Sequence, residues 1–152
     1  MAESDLRLRL ATLDDAAMLH AWRNDRHTRE ASRTTDPIPF EQHRAWLEAC
    51  LADPNRTLWI AESASGPVGT VRFDHGDQAE LSWTVAPTAR GQGWGTRMVA
   101  LALNEVSGTV RAVARGNNVG SCKIAMANGF QVIDDDGEWV TFERIVGEEK
   151  TS

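Results

Sequence analysis

The stretch Leu81-Ser82-Trp83-Thr84-Val85-Ala86-Pro87-Thr88-Ala89-Arg90-Gly91-Gln92-Gly93-Trp94-Gly95-Thr96-Arg97-Met98 decides the fold. A strand-like run stops at Pro87, and three alternating glycines follow just before an apolar segment, Trp94 to Glu105, with helical spacing. Glycine at 91, 93 and 95 removes side chains where backbone N–H groups can converge on an anion, and a helix N-terminus adds roughly half a positive charge. Each hydrogen bond to a charged oxygen contributes about 1.5–3 kcal/mol, so several together hold a diphosphate. Arg90 and Arg97 add local positive charge. The competing reading is a flexible turn ahead of a core helix. Two common phosphate loops are excluded. A Walker loop needs lysine and a hydroxyl residue after its last glycine, where this chain has Thr96-Arg97. The dinucleotide fingerprint needs a third glycine where Thr96 stands, and the strands before it read as antiparallel.

Upstream, Thr57–Glu62, Val68–Phe73 and Ala79–Val85 alternate as strands around the turns Ser65-Gly66-Pro67 and His75-Gly76-Asp77, an antiparallel meander. Leu6, Leu8 and Leu10 alternate with Arg7 and Arg9 in a first strand. Thr12 caps a helix running through Ala16, Leu19 and Trp22, with Asp14 and Asp15 in its first turn. The polar stretch from Asn24 to Asp36 reads as a loop closed by Pro37 and Pro39, and Phe40–Leu51 as a second helix. Downstream come a strand, Val110–Ala114, and a helix, Asn118–Asn128, with Gly129 placed for a left-handed C-cap. Val132-Ile133 and Trp139–Ile145 form closing strands around Asp134-Asp135-Asp136-Gly137. The expectation is one mixed α and β domain over residues 1–147 and a frayed tail at 148–152.

With 152 residues, 41% hydrophobic and 25% charged, the chain is of globular type and long enough to bury its own core. The net charge of -6 and pI near 5.2 weigh against a nucleic-acid partner. No apolar run approaches the ~20 residues of a membrane span. The acidic start Met1-Ala2-Glu3-Ser4-Asp5 has no leader pattern, so a cytoplasmic protein is expected. Cys50 and Cys122 are too few and too far apart for a metal site or disulfide framework, so no metal is expected. The chain has six tryptophans and no tyrosine.

Arg90-x-x-Gly93-x-Gly95, after a strand ending Val85-x-Pro87, resembles the acetyl-CoA-binding motif of the GCN5-related N-acetyltransferase (GNAT) superfamily. Asn118-x-x-Ser121 followed by Asn128-Gly129-Phe130 resembles its second motif at the usual spacing, and the order of elements is similar over nearly the whole chain. The resemblance implies an α+β, three-layer αβα fold: a mixed, mostly antiparallel twisted sheet, splayed between two central parallel strands, with helices on both faces. It implies acetyl-CoA as acetyl donor. The pantetheine arm would pair with the backbone of Trp83, Thr84 and Val85, and the diphosphate would rest on Arg90, Gly91, Gln92, Gly93, Trp94, Gly95 and Thr96. A backbone N–H near Val85 would hold the oxyanion. Asn118 either bonds the pantetheine or is a plain N-cap.

Glu80, sharing a strand face with Ser82 and Thr84, is the candidate base; its alternative is a surface carboxylate. Many similar enzymes carry a tyrosine acid seven positions after the motif asparagine; this chain has Ala125 there. Ser121, one helical turn from Asn118 on the same face, is the nearest substitute, while Cys122 projects about 100° away and reads as core packing.

On the acceptor side, Trp22-Arg23-Asn24 ends the first helix and His43-x-x-Trp46 lies in the second. This pattern resembles the branch that acetylates amino groups on nucleotide-linked deoxy sugars of the pseudaminic-acid type. Trp22 or Trp46 would stack on a sugar or base, Arg23 would pair with a phosphate, and Asn24 and His43 would complete the site. Otherwise the two tryptophans are core faces and His43 a surface helix residue. Ala79-Glu80-Leu81 before an aromatic strand is also similar to ribosomal-protein N-terminal acetyltransferases. From another class, a non-catalytic acetyl-CoA sensor would keep the fold without the chemistry. The expected partner is a small-molecule amine, with neither nucleic acid nor membrane, on a monomer or homodimer.

Overall fold

The structure is a computed structural model and describes residues 6–147. The tail expected at 148–152 lies outside the described residues. In chain order the elements are β1 (Arg7–Leu10), α1 (Ala16–Asn24), α2 (Arg26–Ala31), α3 (Phe40–Ala52), β2 (Arg56–Ser63), β3 (Gly66–Asp74), β4 (Ala79–Val85), α4 (Trp94–Leu103), β5 (Gly108–Arg115), α5 (Val119–Ala127), β6 (Gln131–Asp135) and β7 (Trp139–Val146). The seven strands form one sheet in the order β1-β2-β3-β4-β5-β7-β6. Every neighbouring pair is antiparallel except β4 and β5, which run parallel. Helices cover both faces, the mixed three-layer arrangement that the resemblance implied.

Alternation along the strands sorts the two faces. Val71 and Phe73 on β3 stand opposite Trp83 and Leu81 on β4 and turn towards α4. The core joins Leu47 of α3, Ile60, Val71 and Leu81 of the meander, Met98 and Val99 of α4, and Val110 and Phe142 of β5 and β7, each almost fully buried. Burying a side chain of this size contributes about 1.5–3 kcal/mol. Gly69 lets α4 close on β3, because a Cβ there would meet Met98 Sδ at 2.6 Å.

At its start, the first helix departs a little from expectation. Thr12 caps a single 3-10 turn, Leu13–Asp15, in a reciprocal box: Thr12 Oγ1 accepts from Asp14 N at 3.2 Å and Asp15 Oδ2 accepts from Thr12 N at 2.8 Å. Arg9 donates to both oxygens of Asp15, at 2.7 and 2.9 Å, and to Glu62 at 2.8 Å. That fork holds the Asp15 carboxyl below the usual carboxylate range and fastens β1 to the helix start.

The larger departure is between Asn24 and Asp36, where the expected loop contains α2. Asp25 accepts from Thr28 N at 3.2 Å as its N-cap, and Arg26 pairs with Glu30 one turn on at 3.0 Å. Only Thr28 of this helix is buried, so the segment offers no apolar stripe from which a periodicity could be read.

A two-residue junction opens the sheet. β4 and β5 pair only at Ala79↔Val110 and Glu80↔Arg111, then diverge.

Candidate active site

From Leu81 to Val85, β4 remains laddered to β3 but has no partner on its β5 side. That unpaired edge can accept an extended ligand as a strand would be accepted. Beyond it lies a cavity of about 380 Å³ whose wall includes Trp83, Thr84, Val85 and the loop leading into α4. Gly91 (φ 75°) and Gly93 (φ 85°) are left-handed, and a Cβ at either would meet nothing within 4 Å. Their requirement is conformational: they turn the backbone so that it faces the cavity ahead of the α4 N-terminus.

Gly95 has a different reason. A Cβ there would collide with Ile124 of α5 and come within 3.0 Å of Val85, so this glycine allows α5 and β4 to pack on α4. Thr96 and Trp94 line the cavity, whereas Gln92 does not; its Nε2 donates to Thr88 O at 3.3 Å, within the loop. Arg90 lines the wall but donates to Asp25 at 2.5 Å and Thr28 at 3.1 Å, tying the loop to α2. Arg97 lies 4.8 Å over the Trp94 ring. His27 and Lys123 also reach this cavity, from α2 and α5.

A second cavity, of about 510 Å³, opens on the α1 and α3 side of the sheet. Six residues line both: Thr28, Ala31, Trp83, Thr84, Asn118 and Ser121. Asn118 caps α5, its Oδ1 accepting from Ser121 N at 3.2 Å, and its Nδ2 donates to Ser121 Oγ at 3.1 Å. The serine oxygen is therefore an acceptor towards Asn118, and its own O–H is left to donate elsewhere. Cys122 lines neither cavity; its Sγ sits 3.8 Å from Arg115 O, and burial, with Asp135, pushes the thiol up.

Glu80, Ser82 and Thr84 line the larger cavity, Glu80 near its β5 side. Four buried polar atoms on residues of this wall have no partner among the described residues: Arg23 Nη1, His43 Nδ1, Ser82 Oγ and Trp83 Nε1. Such atoms are rare in folded proteins, and each costs about 1–3 kcal/mol, so four on residues lining one cavity is unusual. His43 is 6% exposed, which corrects the reading of it as a surface residue. Burial, reinforced by His20 and Arg23, lowers its pKa and favours the neutral ring. Trp22 reaches the wall as a core side chain at 9% exposure, while Trp46 is half-buried with His43 5.3 Å away and Arg72 5.7 Å over its ring.

Asn24 does not join this site. Its Oδ1 accepts from Ile38 N at 2.7 Å and its Nδ2 donates to Ile38 O at 2.8 Å, a clamp between α1 and the approach to α3. The wall also contains residues that sequence reasoning missed: Arg72, and Trp139, whose ring centroid lies 4.9 Å from the Arg33 guanidinium and 4.4 Å from that of Arg115. Nothing local signals them, since β3, β7 and the segment after α2 meet only in the folded chain. Among the described residues there is no group of three or more His, Cys, Asp or Glu able to hold a metal ion, and no helix long and apolar enough to cross a membrane.

With an open parallel junction, a glycine turn at a helix N-terminus and two cavities meeting at Asn118 and Ser121, the fold and site define an acyl-transfer scaffold. The family model for the acetyltransferase (GNAT) domain matches residues 5–131. The chain belongs to this family of acetyl-CoA-dependent N-acetyltransferases. No curated protein matches the sequence. Among solved structures, the chain is similar to spermidine N-acetyltransferase from Vibrio cholerae in complex with CoA and spermine, with a TM-score of 0.81 and 16% identity over 94% of this chain and 96% of that one. It is similar to a domain from Methanocaldococcus jannaschii, with a TM-score of 0.80 and 23% identity over 92% and 97%. Aminoglycoside acetyltransferase AAC(6')-Ib in complex with coenzyme A gives 0.75 and 20% over 92% and 94%. At these identities the likeness establishes the fold.

Proposed function

We propose that the protein moves an acetyl group directly from acetyl-CoA to the primary amine of a small molecule, and that the acceptor is an amino sugar carried on a nucleotide. The observation that carries the transfer is the meeting of the two cavities at Trp83, Thr84, Asn118 and Ser121, beside the unpaired edge of β4. The donor fits the smaller cavity: its pantetheine arm would lie along the backbone of Trp83, Thr84 and Val85, and its diphosphate on the turn from Arg90 to Thr96. His27 and Lys123 add positive charge on the same wall. The sugar reading rests on the half-buried Trp46 as an aromatic wall and on the buried, unpartnered Arg23 Nη1 as a phosphate donor.

In the reaction, Glu80 takes the ammonium proton, directly or through water. The freed nitrogen attacks the thioester carbonyl carbon, polarised by unpaired backbone N–H groups near Val85. As the C–N bond forms and the C–S bond breaks, the nitrogen sheds its second proton through the Ser121 hydroxyl to the departing thiolate, so the serine ends neutral and CoA leaves as the thiol. Thiol release from acetyl-CoA, followed with amino sugars, peptides and polyamines as acceptors, tests the reading. Cofactor binding without turnover on any amine would reduce the chain to a sensor, and peptide preference would move it to protein N-termini.

Gly93→Asp tests the cradle, because it places a carboxylate where the phosphates belong while Asp tolerates the left-handed backbone better than most residues. Acetyl-CoA affinity should fall at least tenfold, about 1.4 kcal/mol. Gly93→Asn, equal in size and backbone demand but neutral, should lose much less. Equal losses in both variants by calorimetry would assign the effect to backbone strain rather than to charge.

A further inference from the structure

Charge on the wall of the larger cavity has the opposite sign to the molecule. The chain carries a net charge of -6, yet this wall holds three arginines, Arg23, Arg33 and Arg72, against one carboxylate, Glu80. Of the three, Arg72 is neutralised by Asp74, with hydrogen bonds of 3.1 and 3.2 Å. Arg23 and Arg33 have no carboxylate partner among the described residues. Arg23 donates one nitrogen, Nη2, to Thr34 O at 3.0 Å, and its buried Nη1 is unpartnered. Arg33 lies 4.9 Å from the Trp139 ring centroid, and Arg115, 4.4 Å from the same ring, is neutralised by Glu138 at 2.9 Å.

The half-buried Arg23 guanidinium, whose Nη1 is buried without a counter-ion, is unfavourable until an anion meets it, and its planar fork suits carboxylate or phosphate oxygens. A low-dielectric cleft lined by one sign of charge also concentrates ligands of the other sign. Resting on the acetyltransfer reading, we infer that the acceptor is an amine bearing an anionic group, a phosphate or carboxylate, held by Arg23 and Arg33 while its amino group lies towards Glu80. A polycationic amine is disfavoured at the same wall by like charge. The single carboxylate is then reserved for the amine, and the arginines set its orientation.

The test is calorimetry on the full chain saturated with CoA, titrated separately with glucosamine 6-phosphate, glucosamine and spermidine up to millimolar concentrations. Glucosamine 6-phosphate should bind at least about tenfold tighter than glucosamine, and spermidine more weakly than either. Arg23→Gln should erase the advantage of the phosphate while leaving glucosamine binding in place. Arg33→Gln, at an exposed position, should reduce it and serves if the Arg23 variant does not fold. A phosphate that confers no advantage, spermidine binding tightest, no binding of the phosphorylated sugar, or an advantage that survives in the folded variants would each overturn the proposal. Failure to bind CoA in the first step would instead overturn acetyl transfer itself.

Discussion

Replacing Glu80 by glutamine lowers turnover by about 10²–10⁴-fold, the usual contribution of a general base, with the largest loss on the acidic side of the pH profile. An alkylamine with a pKa near 10.4 is only about one part in a thousand unprotonated at neutral pH, which sets an upper bound of roughly 4–5 kcal/mol on the cost of proton removal, since the electron-withdrawing oxygens of an amino sugar make its amine less basic. On the proposed reading that task falls to Glu80. It is half-buried on the wall of the larger cavity, and it makes no salt bridge among the described residues, because Arg111 pairs with Glu143 at 3.2 Å and Arg72 with Asp74 at 3.1 Å. Glutamine preserves shape and removes basicity. As the pH rises towards the amine's own pKa the base becomes dispensable, and mutant and parent should converge. A loss under threefold across the profile would pass the role to water or to His43, whose buried, neutral ring lines the same cavity.

Ser121→Ala should cut turnover by about 10–100-fold, near the low end for general-acid catalysis, with acetyl-CoA affinity little changed. The modest size follows from the leaving group: free thiols have a pKa of about 8.5, so CoA departs tolerably as the thiolate and water can protonate it later. Geometry favours this serine because Asn118 Nδ2 fixes its oxygen from one side at 3.1 Å, leaving the O–H to point elsewhere at a position where both cavities meet. Cys122→Ala is the control and should leave turnover nearly untouched, since its thiol is pushed up and lies outside both walls. A dead cysteine variant, or a radiolabelled acetyl group retained on the protein, would replace direct transfer with an acyl-enzyme route.

What could be read in advance depended on how local the cause was. The meander, the glycine turn and the caps at Thr12, Asn118 and Gly129 were legible because alternation, left-handed backbone and side-chain capping each leave their mark within a few residues. The three glycines could not be told apart from sequence: 91 and 93 serve the turn, whereas 95 serves a contact with Ile124 that exists only after α5 docks. His43 illustrates the same limit. A histidine on a helix of low amphipathicity gives no sign that it will face α1 and be buried beside His20 and Trp46. Arg90 was legible as a cation near the loop, but not its pairing with Asp25, which spans the chain and depends on a helix with no apolar stripe. The approach of Arg33 and Arg115 to Trp139 is wholly tertiary and left no trace.

With only Ala79↔Val110 and Glu80↔Arg111 joining β4 to β5, the chain leaves its own sheet nearly cut into two plates, β1–β4 and β5–β7. The other strand pairs are laddered over longer stretches, interrupted only by irregularities at Ala61/Glu62 and Val132/Asp134, so the seam depends chiefly on side-chain packing around Leu81, Val110 and Phe142. On the proposed reading, a donor molecule lying in the gap would supply the absent rungs, making its binding an act of structural completion as well as of substrate capture. By mass action, ligand at a hundred times its Kd adds about 2.7 kcal/mol to the folded state, a large share of a typical domain's stability. The protein's resistance to heat and proteolysis would therefore rise and fall with the supply of acetyl-CoA around it, so that persistence of the enzyme and availability of its donor become one coupled quantity.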